Sequence, residues 1–450
     1  MIRQLLDSNF MREKVAFLAA LARDVQSRLV EVDAEGTDED ADFVGSGPIN
    51  QTDVDEMVEN LKRLDQDQTL WTPSTDTWIP RDAYAAILQS CLDKFYRSNN
   101  RVTTQSDNIF GETLSTDVPT GLPNLQRVRG RFQLNMGDWR WINAAKAKLI
   151  KRRRGPVKFV ENTNGPAPLG ENARIVLFGD WASGIPYAQK LAETIWNSCL
   201  KGVIGTRPLH AIHLGDAYYG GLVSDYSERF NPYWPVPIGQ ERHVSSWTLA
   251  GNHDMYSGGH GFFRMLGIDY RFSNQGGCSY FLLENEHWQV FGLDTSYDPI
   301  DFKGDIGNLY GNQAEWIAHE RGRAPNKKCV VLTHHQPFSA FDDIDDTLEK
   351  QLRSTLGKRL VTAWFWGHEH DCAVYEQRLS VPYPVMLGHG GFPQEPTEPL
   401  PHGAPIKFDW PFMTDRFITF GFGVLDFNGP EIRVRLIDVN GTERRAFTIE

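Results

Sequence analysis

The chain has 450 residues, of which 40% are hydrophobic and 23% are charged. This composition excludes a disordered chain and is typical of a soluble globular protein with two or three domains. The formal net charge of −12 disfavours a nucleic-acid partner, because binding to phosphate backbones needs clustered Lys and Arg. No apolar run approaches the roughly 20 residues that span a bilayer, so we expect no membrane span.

The cysteines predict neither a disulfide framework nor a thiolate zinc site. They are scattered, odd in number and contain no CxxC pair: Cys91, Cys199, Cys278, Cys329 and Cys372. The apolar stretch near the start reads as a surface helix rather than a signal peptide. Together these features predict a cytoplasmic location.

Residues 1–100 are predicted to form a mainly helical N-terminal region, with apolar residues at helical spacing, for example over 81–96. Residues 101–170 are rich in Gly, Pro, Asn and Thr and predict an irregular connecting segment, with a helix at 139–152. Neither region contains a catalytic motif. Residues 171–450 are predicted to form a separate domain.

Short apolar runs of the kind that form buried strands begin after residue 171. Five of them are each followed at once by turn or polar residues: 174–178, 210–214, 246–250, 329–333 and 363–366. Helical stretches are predicted over 187–200 and 313–321, and a hairpin near the end over 423–436. This alternation predicts an α/β fold with layered β-sheets flanked by helices.

Five polar motifs follow these apolar runs. They are Gly179-Asp180, Gly215-Asp216-Ala217-Tyr218-Tyr219, Gly251-Asn252-His253-Asp254, His334-His335 and Gly367-His368-Glu369-His370. Open α/β sheets place their sites just beyond the carboxyl ends of the strands. A lone Gly-Asp pair is usually a turn, but five ordered motifs together supply ligands for two adjacent metal ions.

This pattern resembles the calcineurin-like metallophosphoesterases, and within them the purple acid phosphatase branch. Most relatives carry Asp-x-His at the first motif, whereas Ala182 stands at the His position here. Tyr219 follows Asp216 by three residues, and this paired difference is typical of purple acid phosphatases. The resemblance covers roughly residues 172–437 and implies a metallophosphoesterase-type arrangement of sheets for residues 171–450.

The resemblance also implies the metal ligands and the metals. Asp216 is expected to bridge the two ions, with Tyr219 as a phenolate on Fe(III) and with Fe(II), Zn or Mn at the second position. The predicted ligands are Asp180, Asp216, Tyr219, Asn252, one of His334 and His335, His368 and His370. Alignment by the preceding strand favours His334, which we prefer, whereas alignment by Pro337 favours His335.

Two further histidines are predicted to act on the substrate. By resemblance, His253 lies near the metals without binding them, where it holds a phosphoryl oxygen or protonates the leaving group, and Asp254 orients its ring. His389, which follows another apolar stretch, is predicted to contact the substrate.

These features predict a dinuclear-metal phosphoester hydrolase, in which a metal-bound hydroxide attacks the phosphate ester. The expected reaction is phosphomonoester hydrolysis, on a small-molecule or headgroup phosphate ester. One alternative is a phosphodiesterase for cyclic nucleotides or lipid headgroups, in which four aromatic residues either stack on a base or belong to the core: Tyr226, Phe230, Tyr233 and Trp234. A second alternative is a non-catalytic, metal-stabilised scaffold. The sequence favours no particular oligomeric state.

Overall fold

The computed structural model describes the chain from residue 147 to residue 450. The positions left out within that range are 149, 152–153, 185, 300–305, 343, 345–346, 357–360, 379–380, 393, 395 and 415–416. The predicted helical region over 1–100 and most of the connecting segment over 101–170 therefore lie outside the described residues, as does Cys91. Within the predicted helix at 139–152, the described positions 147–148 and 150–151 are helical.

The strands of the described residues form two large sheets and one small pair. In chain order they are β1 (Ala167–Pro168), β2 (Arg174–Phe178), β3 (Leu209–His213), β4 (Val244–Thr248), β5 (Phe281–Glu284), β6 (Trp288–Gly292), β7 (Lys328–Thr333), β8 (Ala363–Trp366), β9 (Cys372–Tyr375), β10 (Tyr383–Leu387), β11 (Ile406–Asp409), β12 (Met413–Thr414), β13 (Phe417–Ile418), β14 (Gly421–Asn428), β15 (Glu431–Asp438) and β16 (Glu443–Ile449).

The α-helices connect these strands. They are α1 (Pro186–Thr194), α2 (Val223–Asp225), α3 (Asn252–Tyr256), α4 (His260–Ile268), α5 (Gln313–Arg323) and α6 (Thr347–Leu356). Two of them continue as π-helical turns, over Ile195–Leu200 after α1 and over Tyr226–Phe230 after α2.

Each large sheet contains a block of parallel strands. The six-stranded sheet has the order β16-β15-β14-β2-β3-β4, with β2, β3 and β4 parallel to one another. The eight-stranded sheet has the order β1-β5-β6-β7-β8-β10-β9-β11, with β6, β7, β8 and β10 parallel. Parallel strands end at the same edge of a sheet, so each block presents several carboxyl ends together.

The two sheets pack face to face across an apolar core. Leu177 of the six-stranded sheet and Leu332 of the eight-stranded sheet belong to this shared cluster of buried side chains. Neighbouring side chains on a strand point to opposite faces, and Val176 therefore packs in a different cluster, together with Leu191 of α1. On the outer face of the eight-stranded sheet, Val331 packs in a cluster with residues of α5 and α6. The result is four layers: helices, sheet, sheet and helices.

This architecture confirms the predicted fold class. The predicted strands over 174–178 and 363–366 coincide with β2 and β8, and the other three predicted strands differ by at most two residues at either end. The predicted helix over 187–200 corresponds to α1 and its π-helical continuation, and the predicted hairpin corresponds to β14 and β15.

Cys199, Cys278, Cys329 and Cys372 are buried free thiols. No helix in the described part of the chain combines the length and the apolar character needed to cross a membrane.

Candidate metal centre

The five motifs meet where the parallel strands of both sheets end. In the six-stranded sheet, Asp180 follows β2 and Asp216 follows β3, while in the eight-stranded sheet His334 follows β7 and His368 follows β8. Because the sheets stack face to face, carboxylates from one sheet and imidazoles from the other come into contact. All of the predicted metal-ligating side chains are buried or nearly so.

The backbone at this edge is unusual at three of the motif residues. Asp180, Asp216 and His368 have positive φ angles of 55°, 76° and 68°. Side chains with a Cβ disfavour this left-handed region, at a cost of about 1 kcal/mol or more for each residue. Only glycine fits at position 251, because a Cβ there would lie 2.0 Å from Oδ1 of Asp216. The chain therefore accepts local strain where its polar side chains converge.

One donor group consists of Asp180, Asp216 and His370, whose ligand atoms all lie within 4.8 Å of one another. The hydroxyl of Tyr218 lies among them. It is 3.1 Å from Oδ1 of Asp180, 3.2 Å from Oδ2 of Asp216 and 2.8 Å from Nε2 of His370. Two carboxylates, an imidazole and a phenol thus face one small volume.

A second donor group consists of His334, His335 and His368, again with ligand atoms within 4.8 Å of one another. Nε2 of His334 lies 3.0 Å from Oδ1 of Asn252 and 3.2 Å from Nδ1 of His368. The other ring nitrogen of His334, Nδ1, lies 3.0 Å from the carbonyl oxygen of Leu214. A carbonyl can only accept, so Nδ1 carries the proton and Nε2 presents its lone pair to the group.

Asp216 contacts both donor groups. Its Oδ1 lies 3.4 Å from Nε2 of His334, and its Oδ2 accepts a hydrogen bond from Tyr218 at 3.2 Å. It is therefore placed between the two groups, as a bridging carboxylate would be.

The structure brings both His334 and His335 to this site. Nδ1 of His335 lies 2.9 Å from Oγ1 of Thr295 and 3.4 Å from the hydroxyl of Ser296. The sequence analysis did not identify these two residues. The available signal was the apolar run of β6, which is followed by Asp294-Thr295-Ser296 in the same way as the other strands are followed by their motifs.

For the tyrosine, the structure differs from the sequence-based expectation. The hydroxyl between the carboxylates belongs to Tyr218, whereas the ring of Tyr219 lies 5.1 Å from the guanidinium of Arg229. Arg229 forms a buried ion pair with Asp225 and donates to the carbonyl of Tyr218 at 3.0 Å. Asp225 in turn accepts from the backbone N–H of Gly220 at 3.0 Å. Arg229 and Asp225, which the sequence analysis missed, thus fix the loop that carries both tyrosines.

His253 lies at the edge of the first donor group. Its Nε2 is 4.0 Å from Oδ2 of Asp216, and its Nδ1 is 2.9 Å from the carbonyl oxygen of Tyr219. The orientation of this ring by Asp254 stays a prediction. The carboxylate of Asp254 accepts hydrogen bonds from the backbone N–H groups of Gly251 at 2.6 Å and Asp216 at 2.9 Å. Asp254 holds the loops of the second and third motifs together.

His389 belongs to neither donor group. Its ring is fully buried, with its centroid 4.6 Å from that of Trp410, and neither ring nitrogen has a hydrogen-bond partner among the described residues. A Cβ added to Gly421 would lie 2.5 Å from Nε2 of His389, so this ring is closely packed. The described residues bury the His389 ring completely. A contact between His389 and the substrate stays a prediction.

The electrostatics of the site favour a bound cation. Burial, together with the nearby carboxylates of Asp180 and Asp254, raises the pKa of Asp216 well above its usual value. Burial lowers the pKa of His334 well below its usual value, and the neighbouring His368 and His335 add to this effect. A cation relieves both penalties, because it attracts the carboxylates and binds the neutral imidazoles.

Burial also shifts the pKa values of His253 and Asp254, two residues of the third motif. It lowers the pKa of His253 to about 3, so the ring is neutral near neutral pH before substrate binds. Burial raises the pKa of Asp254 to about 6, although the hydroxyl of Tyr226 and the backbone N–H groups that it accepts from oppose this shift.

A comparison with protein-family models gives a match over the part of the chain that carries the site. Residues 173–372, which contain all five motifs, match the family model described as calcineurin-like phosphoesterase. No match was found among the curated proteins.

Solved structures with similar folds share little sequence with this chain. GAP50, the anchor in the inner membrane complex of Plasmodium, is 13% identical with a TM-score of 0.45, and the match covers 62% of this chain and 89% of that one. TT1561 of Thermus thermophilus is 10% identical with a TM-score of 0.30, covering 62% and 98%. Vps29 of Entamoeba histolytica, complexed with Zn²⁺, is 11% identical with a TM-score of 0.25, covering 62% and 99%.

Both donor groups lie within the residues that match the family model. That family suggests metal-dependent hydrolysis of phosphoesters. Residues 173–372 thus carry the match to the calcineurin-like phosphoesterase family, and the same residues supply both donor groups.

Proposed function

We propose that this protein hydrolyses phosphate monoesters with two metal ions held side by side. The observation that carries the proposal is the contact of Asp216 with both donor groups, at 3.4 Å to Nε2 of His334 and 3.2 Å to the hydroxyl of Tyr218. Two-metal hydrolases need one such bridging carboxylate, because their ions lie roughly 3.5–4 Å apart.

The proposed ligands divide into two sets that share Asp216. The first ion would be held by Asp180, Asp216, His370 and a tyrosine. The second would be held by Asp216, Asn252, His334 and His368, with His335 as a further imidazole beside it. Carboxylate and phenol oxygens suit Fe(III), while the imidazole-rich second set suits Fe(II), Zn or Mn.

The tyrosine that we propose as the Fe(III) ligand is Tyr218. Support comes from its hydroxyl, which lies 3.1 Å from Oδ1 of Asp180 and 2.8 Å from Nε2 of His370. Burial, together with the adjacent Asp180 and Asp216, raises the pKa of the Tyr218 phenol well above its usual value, so the phenolate would require the charge of an ion. Tyr219 remains the sequence-based alternative, and its spacing from Asp216 is the one that resembles the purple acid phosphatase branch.

When bound, the two ions would make hydroxide available from water near neutral pH and would stabilise negative charge on the phosphoryl group. The protein residues fix the geometry around them. The carbonyl of Leu214 holds the proton on Nδ1 of His334, so Nε2 of this ring would act as the donor atom. The hydroxyl of Thr295 lies 2.9 Å from Nδ1 of His335 and helps to fix the position of that ring.

His253 is proposed to transfer a proton to the leaving group or to hold a phosphoryl oxygen. Its Nδ1 donates to the carbonyl of Tyr219, which leaves Nε2 for the substrate. Burial keeps the free ring neutral, but a bound phosphate dianion would favour the imidazolium form, because an opposite charge within a few ångströms raises the pKa of an imidazole. His253 would therefore acquire its proton together with the substrate.

The substrate is proposed to be a small-molecule or headgroup phosphate ester. The aromatic side chains considered for base stacking belong to the core, since Phe230 and Trp234 stack on each other and both also contact Phe272. Tyr226 is buried in the same cluster and donates to Asp254. Tyr233 is partly buried against the same cluster. This packing supports a small phosphate ester over a cyclic nucleotide as the substrate. We also propose a cytoplasmic location and a single catalytic domain over residues 171–450.

The proposal is tested by hydrolysis of nitrophenyl phosphate and of bis-nitrophenyl phosphate by the full chain. The protein would be stripped with a chelator and then reloaded with Fe, Zn or Mn, with Asp216→Asn as the matched inactive control. We expect metal-dependent turnover that favours the monoester and is absent in the variant. A preference for the diester would indicate a phosphodiesterase instead. No turnover of either ester by folded, metal-loaded protein would favour the scaffold alternative.

A further inference from the structure

A lysine from outside the family-matched segment lies beside the candidate site. Lys148 precedes residues 173–372 and belongs to the helical positions at 147–151. Its side chain is half-buried, and its Nζ lies 4.4 Å from the centroid of the Tyr256 ring. This distance is typical of a cation–π contact, so the ammonium group has a defined location.

Tyr256 connects this ammonium group to the proposed catalytic residues. The centroid of its ring is 4.6 Å from that of His253, and its hydroxyl accepts a hydrogen bond from Nδ2 of Asn252 at 3.3 Å. Lys148 is thus separated from a proposed proton donor and a proposed metal ligand by a single aromatic side chain.

The segment that follows Lys148 is bonded to the loop next to the site. The backbone N–H of Val157 donates to the carbonyl of Gly258 at 2.9 Å. The carbonyl of Val157 accepts a hydrogen bond from the hydroxyl of Tyr297 at 2.6 Å. Nε2 of His260 lies 3.1 Å from the carbonyl oxygen of Gly155. These contacts hold the segment against the end of α3, which carries His253 and Tyr256.

We propose that Lys148 is a substrate-binding residue that attracts the phosphate group and favours dianionic monoesters over monoanionic diesters. This inference rests on the proposed function of the same site. A lysine ammonium near the site would act as a point charge beside the two proposed metal ions, and it would attract a dianion more strongly than a monoanion. The side chain would leave the Tyr256 ring, or bend along it, to reach a phosphoryl oxygen near Nε2 of His253.

A purely structural role, in which Lys148 only attaches its helix to Tyr256, makes a different prediction. Lys148→Met keeps most of the stem that packs on the ring but removes the charge, whereas Lys148→Arg keeps both. Lys151→Met is a matched control, because Lys151 is also half-buried on the same segment but its charge interacts with Asp298. The two methionine variants therefore remove the same charge at neighbouring positions.

The test is a calorimetric titration of the metal-loaded full chain with inorganic phosphate, followed by kinetics on both nitrophenyl esters. For Lys148→Met we expect the Kd of phosphate and the KM of the monoester to rise about tenfold, which corresponds to about 1.4 kcal/mol. The KM of the diester should rise about threefold or less, and kcat should change little. Lys148→Arg should stay within about threefold of the original protein, and Lys151→Met should be unchanged.

The phosphate titration separates this inference from the proposed function, because it does not require turnover. Phosphate binding that depends on Lys148, in a protein that cleaves neither ester, would support the lysine assignment while the hydrolase proposal fails. The assignment is overturned if Lys148→Met binds phosphate as tightly as the original protein, or if Lys151→Met weakens binding equally. It is also overturned if the variant loses metal along with phosphate affinity, or if the original protein binds no phosphate.

Discussion

Nε2 of His334 lies 3.4 Å from Oδ1 of Asp216, although the two residues follow strands of different sheets. An ion between them would therefore link the six-stranded sheet to the eight-stranded sheet. Metal loading should then stabilise the whole domain as well as enable catalysis, because a ligand that binds only the folded state raises its stability.

The first prediction concerns Asp216→Asn. We expect this variant to lose both the activity and the increase in melting temperature that metals give the original protein. A metal at one hundred times its Kd contributes about 2.7 kcal/mol to the free energy of unfolding. Without metal, the variant should be at least as stable as the original protein, because it removes a buried charge from beside Asp180 and Asp254. Differential scanning calorimetry with and without metal measures both effects. Full metal loading of the variant would contradict the bridging assignment.

The second prediction separates the two tyrosines. If Tyr218 is the phenolate ligand of Fe(III), the iron-loaded protein should show a visible charge-transfer band that Tyr218→Phe abolishes. Tyr219→Phe is the matched control and should keep the band, because its ring lies against Arg229. Visible absorption spectra of the three proteins at equal iron content decide the question. Loss of the band in Tyr219→Phe alone would restore the sequence-based assignment, and an oxidised iron form without colour would contradict a phenolate ligand of either kind.

The third prediction concerns His253→Ala. This variant should retain both metals, because the ring is not among the proposed ligands and its Nε2 lies 4.0 Å from Oδ2 of Asp216. Loss of a general acid typically slows turnover by roughly 10² to 10⁴-fold. The measurements are metal content by atomic emission and kcat for esters whose leaving groups differ in pKa. We expect the largest loss for poor leaving groups, and normal turnover on all of them would rule out the proton-transfer role.

The fourth prediction concerns His389, for which sequence and structure suggest different roles. Burial lowers the pKa of His389 to about 3, so the folded protein keeps this ring neutral while the unfolded chain protonates it below about pH 6.5. Its contribution to stability is therefore present above pH 6.5 and is lost as the pH falls towards 3. Between pH 7 and pH 5, the original protein should lose about 2 kcal/mol more stability than His389→Leu, as measured by urea unfolding.

The kinetics of the same variant test the substrate contact. A buried, structural His389 predicts an unchanged KM for nitrophenyl phosphate in His389→Leu. A KM raised by tenfold or more, in a variant with normal metal content and normal folding, would support the sequence-based assignment of His389 as a substrate contact.

The sequence predicted the fold, and it identified most of the residues that the structure brings together at the candidate site, because both depend on a local pattern. Asp180, Asp216 and Asn252 each follow an apolar run, and the carboxyl ends of parallel strands meet at one edge. Strand identity and strand direction therefore locate these side chains without any knowledge of long-range packing. The same reasoning applies to His334 and His368 in the other sheet.

The details that the sequence did not predict depend on contacts between separate segments. Tyr218 and Tyr219 are neighbours on one loop, and the ring that faces the carboxylates depends on how Arg229 and Asp225 hold that loop. Likewise, the partner of Nδ1 in His253 is a backbone carbonyl, which carries no sequence signal. Residue spacing alone provides no information about either contact.

The positive φ angles of Asp180, Asp216 and His368 have a consequence for protein engineering. A substitution scheme that ranks residues by stability alone would favour glycine or asparagine at these positions, since both tolerate the left-handed region better. It would also favour removal of the buried charges that surround them. A variant selected only for a high melting temperature in the absence of metal would thus tend to lose the site first. Thermostabilisation of this domain should therefore leave these three residues unchanged.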